Sequence, residues 1–174
     1  MRKLILTLFL VGTIYSTKAQ DKINWISFEE AIVLNKENPK PILIDIYTDW
    51  CGYCKKMDVN TYTNPTIIKS INDSFYAIKF DGESKEDITY KGHTFKYQKS
   101  GRRGYHQLSA SLMNGKLSYP TTIFLDENEA LIQAIPGYLD KKLMEKILAF
   151  FSNKNYKDNK WDVFEKEFKS QIQD

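Results

Sequence analysis

The apolar positions of this chain fall into blocks whose period changes along its length. The first is an almost unbroken run from Leu4 to Tyr15, interrupted mainly by Thr7, Gly12 and Thr13. A basic start, Arg2 and Lys3, precedes it, and the small residues Thr17 and Ala19 follow. That layout predicts a secretory signal peptide over residues 1–19, cut after Ala19. The run is shorter than the roughly 20 apolar residues needed to span a bilayer, and an uncleaved anchor is the alternative. No Cys follows the run, which excludes a lipid anchor on a Cys at that point.

The next block has helical period. In "SFEEAIVLNKEN", Phe28, Ala31, Ile32 and Asn35 share a face, and Ser27 with Glu30 three residues on forms a capping-box signature. Pro39 and Pro41 end it. Then "PILIDIYTD" is a continuous run of β-formers around one acid, Asp45, which predicts a strand buried on both faces. A helical stretch follows from Gly52, broken near Asn64-Pro65. "SFYAIKFD" alternates as a second buried strand.

Residues 82–118 are less regular. "ITYKGHTFKYQ" predicts a hairpin turning at Lys91-Gly92, with Tyr90, Phe95 and Tyr97 as packing groups. "GRRG" reads as a loop and "YHQLSASLMNG" as a short helix. "YPTTIFLD" and "ALIQAI" predict an antiparallel pair around a short polar turn. "LDKKLMEKILAFF" has the stripe of an amphipathic helix. In the tail, Trp161, Phe164 and Phe168 stand at helical spacing, as a terminal helix or a partner-binding segment. A βαβ unit, a β-hairpin and a closing helix give an α/β chain with a mixed sheet between helices.

Charge matters only after the leader is set aside. The 25 basic residues include Arg2, Lys3 and Lys18, and without them basic and acidic residues balance at 22 each. Residues 20–174 are therefore near neutral and lack the strongly basic face that nucleic acid requires. The chain's 11 Tyr, 10 Phe and 3 Trp, all but Phe9 and Tyr15 within residues 20–174, can fill a substantial core.

The chemistry centres on "TDWCGYCKKM", which holds the only two cysteines, Cys51 and Cys54. A disulfide between them closes a very small ring. The chain-entropy stabilisation of a disulfide grows with loop length, so this one would be a poor staple. Structural zinc usually takes four Cys or His ligands. The histidines, His93 and His106, stand at unlike spacings and read as solvent-facing. A soft-metal site on the two thiolates finds no supporting Cys or Met cluster. Cys51 lies between the end of a buried strand and the start of a helix, where partial positive charge and free N–H groups favour a thiolate. A CxxC in that position is a redox motif, though an isolated CxxC also occurs in zinc sites.

"LIDIYTDWCGYCKKM", followed far downstream by Pro120 in "SYPTTIFLD", resembles the thioredoxin-like superfamily over about residues 25–152. It looks most like the exported bacterial members and the C-terminal domain of the transmembrane thiol reductase of disulfide-isomerase pathways. The resemblance implies a thioredoxin-like fold with an insertion before the cis-proline strand and an extra C-terminal helix over 153–174. It implies that Cys51 attacks and Cys54 resolves, through a redox-active Cys51–Cys54 disulfide. Trp50 packs beside the site. Pro120 is a cis-proline facing the disulfide, and Tyr119 before it pairs with substrate backbone. Gly52 and Tyr53 complete the substrate-facing set. Asp45 matches a buried acid, fitted by desolvation to take the Cys54 proton, through water. Lys79 matches the lysine beside that acid, and Gly137 a structural glycine near the sheet edge.

Two departures stand out. Gly52-Tyr53 replaces the Gly-Pro of thioredoxin, and Tyr119 stands where many relatives have Ile, Val or Thr. Tyr119 could narrow the groove or form an aromatic shelf. Potentials in such proteins span roughly −270 to −120 mV, too wide to set direction. Asp45, Lys79 and the absence of a separate dimerisation domain favour a reductase or electron relay for protein disulfides. Such a role in an exported, periplasmic setting implies a membrane electron donor and no bound cofactor. The alternative is a partner-binding or redox-sensing module without turnover. The segment 82–118, with Tyr90, Phe95, Tyr97, Arg102 and Arg103, is the candidate for partner specificity.

Overall fold

The structure, a computed structural model, describes residues 22–152 and 154–173; the expected leader and its cut after Ala19 lie outside them. In chain order the elements begin β1 (Trp25–Ile26), α1 (Phe28–Glu37), β2 (Ile42–Tyr47), α2 (Gly52–Asn60), α3 (Pro65–Ser74) and β3 (Tyr76–Asp81). The insertion supplies β4 (Ile88–Tyr90), β5 (His93–Phe95), β6 (Tyr97–Ser100), β7 (Arg103–His106) and α4 (Gln107–Leu112). The chain closes with β8 (Thr121–Leu125), β9 (Leu131–Pro136), α5 (Lys141–Ser152), α6 (Asn155–Asp158) and α7 (Trp161–Glu167). This is a thioredoxin-like fold, with helices beyond its core at the C-terminal end.

One mixed sheet runs β1-β3-β2-β8-β9. β2 and β3 are parallel, joined through α2 and α3, while β8 runs antiparallel to β2 and β9 to β8. Because strand side chains alternate, β2 sends Leu43 and Asp45 to one face and Ile42, Ile44 and Ile46 to the other. The first face packs against α2, α3 and α5 through Leu43, Met57, Ile67, Ile71, Phe124, Met144 and Leu148. The second packs against α1 and α4 through Ile42, Ile44, Ile46, Ile78, Leu108 and Ile123. A strand buried on both faces explains why "ILI" and "IY" flank a single acid. Among the described residues no helix is long and apolar enough to cross a membrane.

Local signals account for the helix boundaries. Ser27 Oγ accepts the Glu30 N–H at 3.0 Å and starts α1. The break at Asn64-Pro65 separates α2 from α3: Asn64 Oδ1 accepts from the Thr66 N–H at 3.0 Å, and Pro65 occupies a first-turn position that needs no N–H partner. The tail is not a free segment. Trp161 and Phe164 stack edge-on and tilted against Phe150, and the Gln171 N–H donates to Glu145 Oε1 at 2.8 Å.

Three sequence expectations need correction. β1 is only two residues long and was not anticipated; it adds beside β3 by parallel pairing of Trp25 with Ala77. "GRRG" is not a loop. Gly101, at φ +59°, turns the chain, and Arg103-Gly104 belong to β7. Gly104 has no side chain because a Cβ there would lie 2.3 Å from the Tyr97 ring that crosses it. His106 is not solvent-facing but fully buried. Its Nδ1 accepts the Leu108 N–H at 3.2 Å and its Nε2–H donates to the Glu86 carbonyl at 3.0 Å. With both ring nitrogens satisfied, the neutral imidazole is buried at little cost, and burial lowers its pKa. His93 is exposed, as expected.

Candidate active site

β2 ends at Tyr47 and the next turn delivers Cys51 to the start of α2, with the Cys51 N–H donating to the Thr48 carbonyl at 3.0 Å. Cys51 is the N-cap: its Sγ accepts the Cys54 N–H at 3.0 Å. The two cysteines are joined in a disulfide and are nearly inaccessible, Cys51 at 4% and Cys54 at 2%. When the bond opens, a thiolate on Cys51 keeps that N–H and the positive end of a nine-residue helix. Cys54 faces inward beside Met57. Nothing lies within 4 Å of where a Cβ on Gly52 would stand, so the approach over the disulfide is open there.

Strand register assembles a polar cluster on the α2 face of the sheet. Asp45 pairs in register with Lys79 on β3 and with Thr122 on β8. Asp45 is 1% exposed; its Oδ2 lies 2.9 Å from Lys79 Nζ and its Oδ1 has no hydrogen-bond partner. Burial pushes the Asp45 pKa up and the Lys79 charge only partly opposes it. Burial works against the Lys79 charge too, but Asp45 and Asp58 outweigh it and hold the ammonium above its usual range. Asp58, on α2, forms a short ion pair with the same Lys79. Tyr62 completes the cluster; burial, with Asp45 nearby, holds its phenol well above the usual range. The hydroxyls of Tyr62 and Thr122 and Asp45 Oδ1 are buried, near enough to one another to interact yet without a well-formed hydrogen bond. Orphaned polar atoms of this kind mark a place for bound water.

The rim is aromatic. The Tyr119–Pro120 peptide bond is cis, and the Pro120 carbonyl accepts the N–H of Gly137, whose φ of +99° favours glycine. Trp50 is half exposed and meets the Tyr119 ring edge-to-face at 5.8 Å. Tyr119 does not stand up into the groove. Its ring lies over Gly82, so closely that a Cβ on Gly82 would come within 2.5 Å of it. Its hydroxyl is buried, and burial raises its pKa. Tyr119 thus packs between Gly82 and Trp50. Tyr53, between the two cysteines, is well exposed, and its ring centroid lies 6.3 Å from that of Tyr138.

A profile of the thioredoxin-like domain matches residues 28–152. The chain belongs to the thioredoxin-like domain family. Among solved structures, a thioredoxin-fold protein from Helicobacter pylori superposes with a TM-score of 0.56 at 18% identity, covering 75% of this chain and 80% of that one. A thioredoxin from Thermus thermophilus gives 0.55 at 16% identity, covering 75% and 87%. These likenesses speak to fold. Among curated proteins, an uncharacterised Caenorhabditis elegans protein is 32% identical over 88 residues, 50% of this chain and 12% of that protein. The thiol:disulfide interchange protein DsbD of Escherichia coli is 27% identical over 67 residues, 36% of this chain and 12% of that protein. The chain thus covers only about an eighth of the length of these curated relatives.

Within this thioredoxin-like domain, the residues named from sequence fall into two groups. Cys51 and Cys54 form the disulfide, with Trp50 beside Cys51 in sequence and Tyr119 against Trp50, while Asp45 pairs with Lys79 on the sheet. Sequence reading did not pick out Asp58, Tyr62, Thr122 or Gly82. Asp58 left a usable signal, because residues four apart share a helix face and it follows Cys54 by four. Thr122 reaches Asp45 only through strand register, and Tyr62, in the turn after α2, carries no local pattern that marks it.

Proposed function

We propose that the protein is an exported thiol–disulfide oxidoreductase acting as a reductase or electron relay on protein disulfides. The observation that carries this reading is the disulfide-bonded pair at the start of α2, with the Cys54 N–H aimed at Cys51 Sγ. The similarity to DsbD supports it. In the reduced protein, the Cys51 thiolate attacks one sulfur of a substrate disulfide. A mixed disulfide forms and one substrate thiolate leaves. Cys54 then gives up its proton, through water, to Asp45, whose raised pKa suits it to accept. The Cys54 thiolate attacks Cys51 Sγ, re-forms the internal disulfide and releases the second substrate thiolate. Two electrons pass to the substrate, and two protons complete its thiols.

Trp50, Gly52, Tyr53, Tyr119 and Pro120 receive the substrate chain in this reading. Lys79 holds Asp45 in place and tempers its pKa. Each turnover leaves the protein oxidised, so a dithiol donor must recharge it, and in an exported compartment that donor is reached through the membrane. We assign residues 1–19 as the leader and 20–174 as one domain. N-terminal sequencing of the protein recovered outside the cytoplasm should begin at Gln20.

The decisive experiment is trapping. The C54S variant should accumulate mixed disulfides with exported proteins, because nothing resolves them, while C51S should accumulate none and should fail to reduce insulin. A C51S variant as active as the unchanged protein refutes the mechanism. Partner binding that survives loss of both cysteines points instead to a binding module.

A further inference from the structure

We propose that Arg103 selects substrates carrying a carboxylate close to the disulfide under attack; the inference rests on the oxidoreductase reading and names its specificity. The Arg103 guanidinium lies over the Trp50 ring, 4.3 Å from its centroid, and Trp50 is the residue before Cys51. The position is built. β6 and β7 form a hairpin whose base is fixed by the His106 N–H donating to the Gly82 carbonyl at 2.7 Å, and by His106 itself, buried against Phe80. Gly82 in turn seats Tyr119, and Tyr119 meets Trp50 edge-to-face. Trp50 is therefore held between a ring on one side and a cation on another, beside the reacting sulfurs.

Stacking uses the face of the guanidinium and leaves its N–H fork free at the edge. Among the described residues no carboxylate pairs with Arg103. Asp49, two residues from Cys51 and on the same turn, does not claim it. A fork with its face occupied and its donors open matches a carboxylate in bidentate geometry. A substrate chain crossing Trp50 in extended form advances about 3.3 Å per residue. A Glu or Asp within two or three residues of the substrate cysteine can then reach the fork.

The test uses pre-reduced, desalted protein and synthetic disulfide peptides in single-turnover mixing, so the protein's own dithiol supplies both electrons. The peptides carry Glu, Gln or Lys near the cysteine with both ends blocked. One further Gln peptide keeps a free terminal carboxylate, to separate a side-chain carboxylate from a chain end. We expect the Glu peptide to react about three- to ten-fold faster than the Lys peptide at low salt, as an exposed charge pair allows. The ratio should collapse toward one at high salt, fall to one in R103Q and invert in R103E. The salt series on the unchanged protein stands even where a variant is unstable. A Glu-to-Lys ratio of one in the unchanged protein, or a preference for Glu that persists in R103E, overturns the proposal. No reaction with any peptide overturns the oxidoreductase reading and this inference with it, whereas equal reaction with all of them overturns this inference alone.

Discussion

Replacing Asp45 with Asn should make the protein more stable and less active. Asp45 is buried at 1% exposure, with one oxygen 2.9 Å from Lys79 and the other unpaired. Taking an ionised carboxylate out of water carries a desolvation penalty that its partners must offset, and neither the loosely placed Tyr62 hydroxyl nor a water at Oδ1 supplies the charge to do so. Lys79 offsets only part of it, because its single charge is shared with Asp58. A net destabilisation of about 1–3 kcal/mol at neutral pH follows.

The pH dependence fixes the sign. Burial raises the Asp45 pKa in the folded chain above its unfolded value. Between the two values the folded state holds a proton that the unfolded state has released, so stability falls as pH rises through that window. Below the unfolded value, about 3.9, both states are protonated and the penalty is absent. Guanidinium titrations of the oxidised protein and of D45N, from pH 3.5 to pH 8, give the difference from the midpoints at a common slope. D45N should be more stable by about 1–3 kcal/mol at pH 8, and the gap should close near pH 4. In parallel, release of substrate from the mixed disulfide should slow by about a hundredfold, the usual loss on removing a general base. A D45N protein less stable at pH 8, or a gap that does not change with pH, refutes the reasoning.

Three further outcomes follow from packing. G82A should lose about 1–3 kcal/mol, because its Cβ would meet the Tyr119 ring at 2.5 Å; G82A/Y119V should recover most of the loss in thermal unfolding, and failure to recover means the clash is not with that ring. Ending the chain after Ser152 should cost at least about 3 kcal/mol by calorimetry, since it uncovers Phe150 and strips buried Glu145 of its partners Ser170 and Gln171. An unchanged midpoint would mean that the tail is not part of the fold. S27A should lose about 1 kcal/mol in chemical denaturation, the usual cost of an N-cap.

What was legible in the sequence follows from how each feature is built. Asp45, Cys51 and Cys54 sit on one strand, turn and helix, so local pattern is enough: an acid inside an apolar run, then two thiols at a helix start. Asp58 belongs to the same continuous stretch and could have been read there. Thr122 and Lys79 differ in kind, and Lys79 was named only through the family resemblance. They reach Asp45 only through the register of β2 with β8 and β3, which no local pattern specifies. The insertion was harder still. His106 looks like a surface residue until its two ring nitrogens find backbone partners, and "GRRG" looks like a loop until Gly104 lets Tyr97 cross the hairpin. Arg103 gains its position over Trp50 only from that hairpin. Redox chemistry needs two thiols at a helix start, which a short segment encodes. Choice among substrates depends on groups around those thiols, and this chain draws them from segments far apart in sequence: Trp50, Gly82, Arg103 and Tyr119.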